Sequence, residues 1–135
     1  MTELYNVAFL ENQDFDGKDI SMNMIRSKGK NSFGFDKNKH TKILVMVQAN
    51  FCGYCTNAKP AFQDLAYEDN DIFCATILGD GSRESEKSLR KRLPDIYPDF
   101  KGFPHYCLHD NTGKRIKKNV NSGRSFKALK KFCSE

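Results

Sequence analysis

The chain has 135 residues, enough for one domain with its own hydrophobic core but too few for two. Its 22 lysines and arginines against 17 acidic residues give a net charge of +5. These charges fall on the polar sides of predicted helices and at a predicted hairpin, which favours a solvated surface over a nucleic-acid interface. No apolar run reaches the length of a membrane span, and the N-terminal residues are acidic where a secretory signal would be basic. We therefore expect a single cytoplasmic domain over residues 1–135, with no membrane association.

Five segments rich in aliphatic and β-branched residues predict strands. They are Val7 to Leu10, Ile43 to Ala49, Ile72 to Leu78, His105 to His109 and Arg115 to Val120. The second segment is apolar without a break at its start, which is typical of a strand buried on both faces. A tight hairpin turn is predicted at Asn111-Thr112-Gly113.

Three segments place apolar residues at helical spacing. They are Ala58 to Tyr67, Glu84 to Leu93, and the segment in which Phe126, Leu129 and Cys133 recur. Pro94 is expected to end the second helix. Strands that alternate with helices indicate an α/β fold in which helices cover a central sheet.

Two stretches are harder to interpret. In residues 16–41, Ile20, Met24 and Ile25 indicate a short helix, but Gly29 and Gly34 lie in a polar sequence that indicates a long loop. Residues 79–100 also make an unusually long connection between two predicted strands. Both stretches are predicted to be insertions, and the sequence leaves open whether they border a functional site or pack elsewhere.

The most informative motif is Cys52-Gly53-Tyr54-Cys55, with Pro60 five residues after its second cysteine. A cysteine in the first turn of a helix meets unpaired backbone N–H groups and the positive end of the helix dipole, which favour its thiolate. Cys52 is therefore the predicted nucleophile. Cys55 lies one turn further along the same face, so it is predicted to resolve a mixed disulfide formed by Cys52.

A Cys-x-x-Cys pair can also supply half of a structural zinc site or form an inert disulfide. Zinc normally needs a second pair of ligands at short spacing, and Cys74, Cys107 and Cys133 stand alone in the sequence. Cys107 and His109 are too extended along a predicted strand to complete a tetrahedral site. A reducing compartment disfavours the inert disulfide. The sequence thus favours a redox pair and predicts no bound metal or cofactor.

Five segments together resemble the thioredoxin superfamily. Residues 43–62 (ILVMVQANFCGYCTNAKPAF) resemble its active-site strand, Cys-x-x-Cys turn and proline-containing helix. Lys101 to His105 resemble its Gly-apolar-Pro loop, in which a cis-proline faces the two cysteines. Asp110 to Lys118 and Ser122 to Cys133 resemble its last hairpin and terminal helix, and Asn6 to Phe15 its first strand. The resemblance spans nearly the whole chain.

The resemblance implies a three-layer α/β fold with a mixed sheet of about five strands flanked by helices. It implies a thiol–disulfide oxidoreductase, a reductase or isomerase, that acts on disulfide-containing client proteins. The electron donor would be a cellular thiol reductant such as a thioredoxin reductase or glutathione. Phe51, Tyr54, Phe103, Pro104 and His105 are expected to bind the client, with a cis bond between Phe103 and Pro104. The alternative is a thioredoxin-like module that uses the same groove to hold a partner without turnover.

The chain departs from the family at three positions. Met46 stands where thioredoxins carry a buried acid that helps to move the proton of the second cysteine, and Thr76 stands at the usual nearby lysine. Losing the acid and the cation together avoids an unpaired buried charge. Proton transfer at Cys55 must then use water, a neighbouring side chain or an external group. Phe51 replaces a tryptophan, which keeps an apolar wall but removes an N–H donor.

The remaining cysteines, together with His40 and His109, are predicted to have structural roles. Cys74, Cys107 and Cys133 fit small buried hydrophobic positions. His105, directly after Pro104, either adds positive charge near Cys52 when protonated or is an ordinary strand residue.

Overall fold

The structure, a computed structural model, describes residues 4, 7–21, 35–36, 38–68, 71–117 and 124–134. Within these residues the chain forms seven strands. They are β1 (Val7–Phe9), β2 (Phe15–Asp16), β3 (Asp19–Ile20), β4 (Lys42–Gln48), β5 (Ile72–Leu78), β6 (His105–Asp110) and β7 (Arg115–Lys117). Five of them form one mixed sheet in the order β1, β5, β4, β6, β7, while β2 and β3 pair as a separate hairpin.

The central strand is β4. It runs parallel to β5 on one side and antiparallel to β6 on the other, so that Met46 faces Thr76 and Tyr106 across the two ladders. Residues 43–47 have no exposed surface. A strand with neighbours on both edges and helices on both faces needs apolar side chains in both directions, which explains the unbroken apolar run.

Three helices cover the sheet in the described part of the chain: α1 (Gly53–Glu68), α2 (Glu84–Ile96) and α3 (Phe126–Ser134). Phe62 of α1 and Leu129 of α3 pack with Met46 on one face of the sheet. Leu89 and its neighbours in α2 pack on the opposite face. This arrangement confirms the predicted three-layer α/β fold. Within these ranges, none of the helices has the length and apolar character needed to cross a membrane.

The ends of two helices differ from the predictions. Helix α1 begins at Gly53, five residues before the predicted Ala58. The prediction started too late because the first turn is polar and shows no apolar spacing. Helix α2 does not end at Pro94 but continues to Ile96. A proline in the last turn costs a single hydrogen bond while its fixed φ still suits a helix, and the N–H of Tyr97 donates to the Leu93 carbonyl to close that turn.

The hairpin of β2 and β3 corrects the prediction of a helix starting near Ile20. Phe15 pairs with Ile20, and both side chains join the core that faces α2. Gly17 has a φ of 63°, a left-handed conformation that suits glycine and permits the short turn between the strands. Met24 and Ile25, the other residues of that predicted helix, lie outside the described residues.

The predicted turn between β6 and β7 is confirmed. The N–H of Gly113 donates to the Asp110 carbonyl at 3.1 Å, and Gly113 has a φ of 92°. The Asp110 carboxylate also accepts a hydrogen bond from the Thr112 N–H at 2.8 Å. The last three residues of the predicted final strand, 118–120, lie outside the described residues.

Candidate active site

Cys52 lies at the N-terminal cap of α1. Its carbonyl accepts a hydrogen bond from the Thr56 N–H at 3.2 Å, which is the first bond of the helix. Its Sγ accepts the N–H of Cys55 at 3.3 Å, in the way that a serine or aspartate oxygen caps a helix. The thiol is partly exposed. A backbone N–H of the first helical turn is thus directed at this sulfur.

Asp80 holds the segment that leads into Cys52. Its carboxylate accepts hydrogen bonds from the backbone N–H groups of Asn50 at 2.9 Å and Phe51 at 3.2 Å. Asp80 follows β5 and Asn50 follows β4, and the carboxyl ends of parallel strands meet at the same edge of a sheet. Asp80 was not predicted as a site residue, although its position just beyond the end of the strand beside β4 was a usable signal.

Cys55 is fully buried one turn behind Cys52. Burial raises the pKa of the Cys55 thiol to about 12, and its hydrogen bond with Cys52 acts in the same direction. The Ala49 backbone and the Lys59 ammonium act in the opposite direction and favour the thiolate. The two cysteines therefore differ in kind: one thiol is accessible and lies at a helix N-terminus, and the other is enclosed.

The loop before β6 meets Cys52. The Cys52 thiol donates a hydrogen bond to the carbonyl oxygen of Phe103 at 3.5 Å, and the Phe103–Pro104 peptide bond is cis. A side chain at Gly79 would place its Cβ 2.5 Å from the Phe103 ring, so only glycine allows this ring to pack against the end of β5. Residues that are about fifty positions apart in sequence thus line one site.

Two aromatic side chains project beside Cys52. Phe51 is 74% exposed and Tyr54 is 69% exposed. The Phe51 ring meets the Phe103 ring edge to face, with centroids 5.8 Å apart. The guanidinium of Arg124 lies 5.6 Å from the centre of the Tyr54 ring, a cation–π contact that the sequence analysis did not anticipate. Two exposed rings thus border the partly exposed Cys52 sulfur.

His105 and Pro104 are placed differently from the predicted surface. His105 is 1% exposed, and its ring packs against Tyr97 and Phe100 on the α2 side of the sheet. Burial lowers its pKa, an effect that Asp99 partly opposes. The expectation that the imidazole binds client or adds charge beside Cys52 is therefore corrected, because strand alternation directs it into the opposite core. Pro104 is also buried, so its contribution to the surface is limited to the loop backbone.

Beneath Cys55, the sheet presents the uncharged residues Met46 and Thr76, and the buried face of α1 includes one charged residue, Lys59. Met46 is fully buried, and the Thr76 hydroxyl donates to its carbonyl. Lys59 lies one turn after Cys55 in α1 and is only 3% exposed. Lys59 was not predicted as a site residue, although its spacing of four residues from Cys55 places both on one helix face.

Cys74, Cys107 and Cys133 are buried, and no disulfide joins any of the five cysteines, all of which the structure describes. Burial raises the pKa of Cys107 to about 12. These observations agree with the prediction of small core residues. Within the described ranges, no three His, Cys, Asp or Glu side chains lie close enough together to hold a metal ion.

Comparison with known proteins identifies the family, although no family model matches the chain. The chain is 41% identical over 101 residues to protein 453L of Invertebrate iridescent virus 6, described as thioredoxin-like, and this match covers 65% of the chain and 72% of that protein. It is 31% identical over 109 residues to the protein disulfide-isomerase erp38 of Neurospora crassa, covering 78% of the chain but only 26% of the isomerase. The crystal structure of thioredoxin f2 from Chlamydomonas reinhardtii matches the fold with a TM-score of 0.59 at 17% identity, covering 93% of this chain and 92% of that one. The chain belongs to the thioredoxin superfamily.

Proposed function

We propose that this protein is a thiol–disulfide oxidoreductase that reduces disulfides in client proteins through Cys52 and Cys55. The observation that carries the proposal is the asymmetry of the two thiols. Cys52 is partly exposed at a helix N-terminus, whereas Cys55 is fully buried one turn behind it. An accessible nucleophile backed by an enclosed second thiol is the arrangement that attack followed by resolution requires.

The reaction has two exchanges. The Cys52 thiolate attacks one sulfur of the client disulfide, forms a mixed disulfide, and expels the other client sulfur as a thiolate that takes a proton from water. Cys55 then loses its proton to solvent and attacks Sγ of Cys52. The client's second sulfur leaves as a thiolate and is protonated in turn. The client gains two electrons and two protons, and the protein is left with a Cys52–Cys55 disulfide.

The surface around Cys52 supports a polypeptide client. Phe51 and Tyr54 are exposed beside the sulfur, and Phe103 closes the groove from the opposite loop. We expect these rings to pack against apolar side chains that flank the client cysteine. We also expect the backbone around Phe103 and Pro104 to pair with the client's extended backbone.

An electron donor must return the disulfide to the dithiol. We propose a cellular thiol reductant, such as a thioredoxin reductase or glutathione, and a reducing, cytoplasmic location. The odd number of cysteines and the burial of three of them away from the site support such a location. The match to the disulfide isomerase erp38 supports a variant of this function, in which the same pair isomerises disulfides.

Trapping a defined client tests the proposal. Reduced Cys55→Ser protein, mixed with insulin as a disulfide-containing client, should accumulate an adduct on non-reducing gels that dithiothreitol releases. Cys52→Ser should form far less adduct, because its remaining thiol is enclosed. The wild type should form little adduct and should instead reduce insulin catalytically when dithiothreitol is supplied.

Equal adduct from the two variants, or no catalysis by the wild type, would overturn the oxidoreductase and favour a module that binds without turnover. If the oxidoreductase is supported instead, the reduction potential of the wild type, measured by equilibration in glutathione buffers, separates a reductase from an isomerase. A strongly reducing potential indicates the first, and a potential close to that of protein disulfide isomerase indicates the second.

A further inference from the structure

Lys59 is an unusual residue in the core behind the cysteine pair. It lies in α1, four residues after Cys55, and only 3% of its surface is exposed. No acidic side chain forms a salt bridge with it among the residues that the structure describes. Lysines are rarely buried to this degree unless they are paired.

Packing alone does not account for this lysine. The helix face that carries it also carries Ala58, Phe62 and Leu65, which are all buried, and an apolar residue at position 59 would continue that face. Burying an ammonium group without a counter-charge costs free energy that methionine or leucine would not cost. A charge kept at such a site needs a negative group that forms there.

The Cys55 thiol becomes such a group when it loses its proton. Cys55 and Lys59 are separated by one helical turn, which places them on the same face of α1, and both are buried. The other titratable groups near Cys55 are Cys52 and Tyr106, and the effect of Arg124 reaches Tyr106. Neither Cys52 nor Tyr106 can carry a positive charge, so neither supplies a counter-charge to the Cys55 thiolate. The sheet residues Met46 and Thr76 on this face are uncharged.

We propose that Lys59 is a positioning residue for the resolving step, and that its ammonium stabilises the negative charge on Sγ of Cys55 as this sulfur attacks Cys52. The inference rests on the proposed function. In that step Cys55 releases its proton to solvent, the Cys52–Cys55 bond forms, and the bond between Cys52 and the client sulfur breaks. Lys59 gains and loses no bond. Its positive charge partly offsets the cost that burial imposes on the Cys55 thiolate.

A two-step thiol reaction tests the inference. Reduced protein is mixed with excess dithionitrobenzoic acid, and release of the coloured thionitrobenzoate is followed with time. The first release reports the attack of Cys52 on the reagent and depends on reagent concentration. The second reports the attack of Cys55 on the mixed disulfide and does not. Cys55→Ser, which should show the first release alone, assigns the two phases.

Lys59→Met keeps the length of the side chain and removes the charge. If the cation lowers the ionisation midpoint of Cys55 by about one pH unit, its loss reduces the thiolate fraction about tenfold. The greater intrinsic reactivity of a more basic thiolate recovers about threefold, so the second phase should be about threefold slower at each pH from about 6 to about 9. The first phase should stay within about twofold of the wild type.

Three variants make the result specific to charge at this position. Lys59→Gln should slow the second phase as Lys59→Met does, and Lys59→Arg should restore it. Lys91→Met removes a lysine from the exposed face of α2 and should change neither phase. Lys59→Met should also unfold at a higher urea concentration than the wild type, since a buried charge is replaced by an apolar side chain.

The outcomes separate the two proposals. If the wild type gives no second release, the Cys52–Cys55 exchange itself is wrong and the proposed function fails. If the wild type gives two releases and Lys59→Met leaves the second unchanged, only the role of Lys59 is overturned. Equal slowing of both phases, or equal slowing by methionine and arginine, would show that Lys59 only maintains the shape of the helix.

Discussion

The Thr76 hydroxyl donates a 2.6 Å hydrogen bond to the carbonyl oxygen of Met46. The two residues face each other across β4 and β5, and the side-chain amide of Gln48 donates to the same hydroxyl at 3.1 Å. All three residues are buried. The position that holds an acid in thioredoxins is thus an apolar side chain, and the position of the usual lysine is a small hydroxyl that is engaged with backbone and amide groups.

Met46→Asp should raise the rate of disulfide reduction at neutral pH and lower stability. A carboxylate at this position could take the proton of Cys55, which no group of the sheet at Met46 or Thr76 can do in the present chain. Burying a carboxyl group in place of a methionine that has no exposed surface should cost about 3 kcal/mol of unfolding free energy. Insulin reduction and urea unfolding measure the two effects.

Met46→Asn is the matched control for that variant. It introduces a polar group of the same size that cannot accept a proton, so it should lower stability without raising turnover. An unchanged rate in a folded Met46→Asp protein would show that water or another side chain already performs the proton transfer.

Asp80→Ala should loosen the segment that enters the active site. It removes the acceptor of two backbone hydrogen bonds, from Asn50 and Phe51. Hydrogen bonds to a charged group that is partly exposed contribute on the order of 1–2 kcal/mol, so the unfolding free energy should fall by about that amount. The rate at which Cys52 attacks a disulfide should also fall, since the Phe51 backbone no longer fixes the turn. Urea unfolding and thionitrobenzoate release measure these changes.

Asp64→Ala provides the comparison, because Asp64 is an exposed acid within α1. Its loss should change stability by less than about 0.5 kcal/mol and leave thiol reactivity unaltered. A folded Asp80→Ala protein with wild-type stability and reactivity would show that the two N–H groups find equivalent partners in water.

The parts of the site that the sequence predicted carry local signals. The apolar run of β4, the two cysteines three residues apart and the proline of the loop before β6 each define a short segment whose conformation depends on its own residues. The fold then followed from the order of these segments, because parallel strands and covering helices leave few arrangements.

The parts that the sequence did not predict depend on register and burial. Asp80 meets the active-site turn across a distance of about thirty residues, and this contact follows from which strands are neighbours. Lys59 was not singled out from the sequence, because lysines usually face water and its burial becomes visible only in the packed helix. His105 is directed away from the cysteines by the alternation of β6, a property that becomes visible once the facing residues of that strand are known.

Cys52 should be the first of the five thiols to be alkylated. It is the partly exposed one, and the other four are buried. Burial also raises the pKa of Cys55 and of Cys107 to about 12, which leaves little of either as the reactive thiolate at neutral pH. Limited reaction with iodoacetamide followed by peptide mapping should show modification of Cys52 at least about tenfold faster than any other cysteine. Earlier labelling of Cys74, Cys107 or Cys133 in folded protein would contradict the site geometry.

His109 forms a buried hydrogen-bond pair with Tyr97. Its Nδ1 lies 2.9 Å from the Gly113 carbonyl, which can only accept, so this nitrogen carries the proton. Its Nε2 therefore accepts the hydroxyl of Tyr97, also at 2.9 Å. Burial lowers the pKa of His109 to about 4, against the opposing effects of the Gly113 bond and of Asp19, with Arg115 adding to the decrease. The neutral imidazole is the form that this core requires.

Stability should accordingly decrease as the pH falls from about 6.5 to about 4. In this window the unfolded chain protonates His109, whose ordinary pKa is 6.5, while the folded chain does not, so the unfolded state binds more protons. The contribution is fully present above the unfolded pKa, and about 3 kcal/mol of it should be lost by the time the pH reaches the folded pKa. Urea unfolding at a series of pH values measures the slope.

His109→Gln is the control, and it should be less stable at neutral pH. Its stability should depend less steeply on pH across the window, because the titrating group is gone. Some dependence should remain, because the buried His40 and His105 also have lowered pKa values. Identical slopes for the two proteins would show that His109 is already protonated in the fold, and the assignment of the Tyr97 hydroxyl as its donor would be wrong.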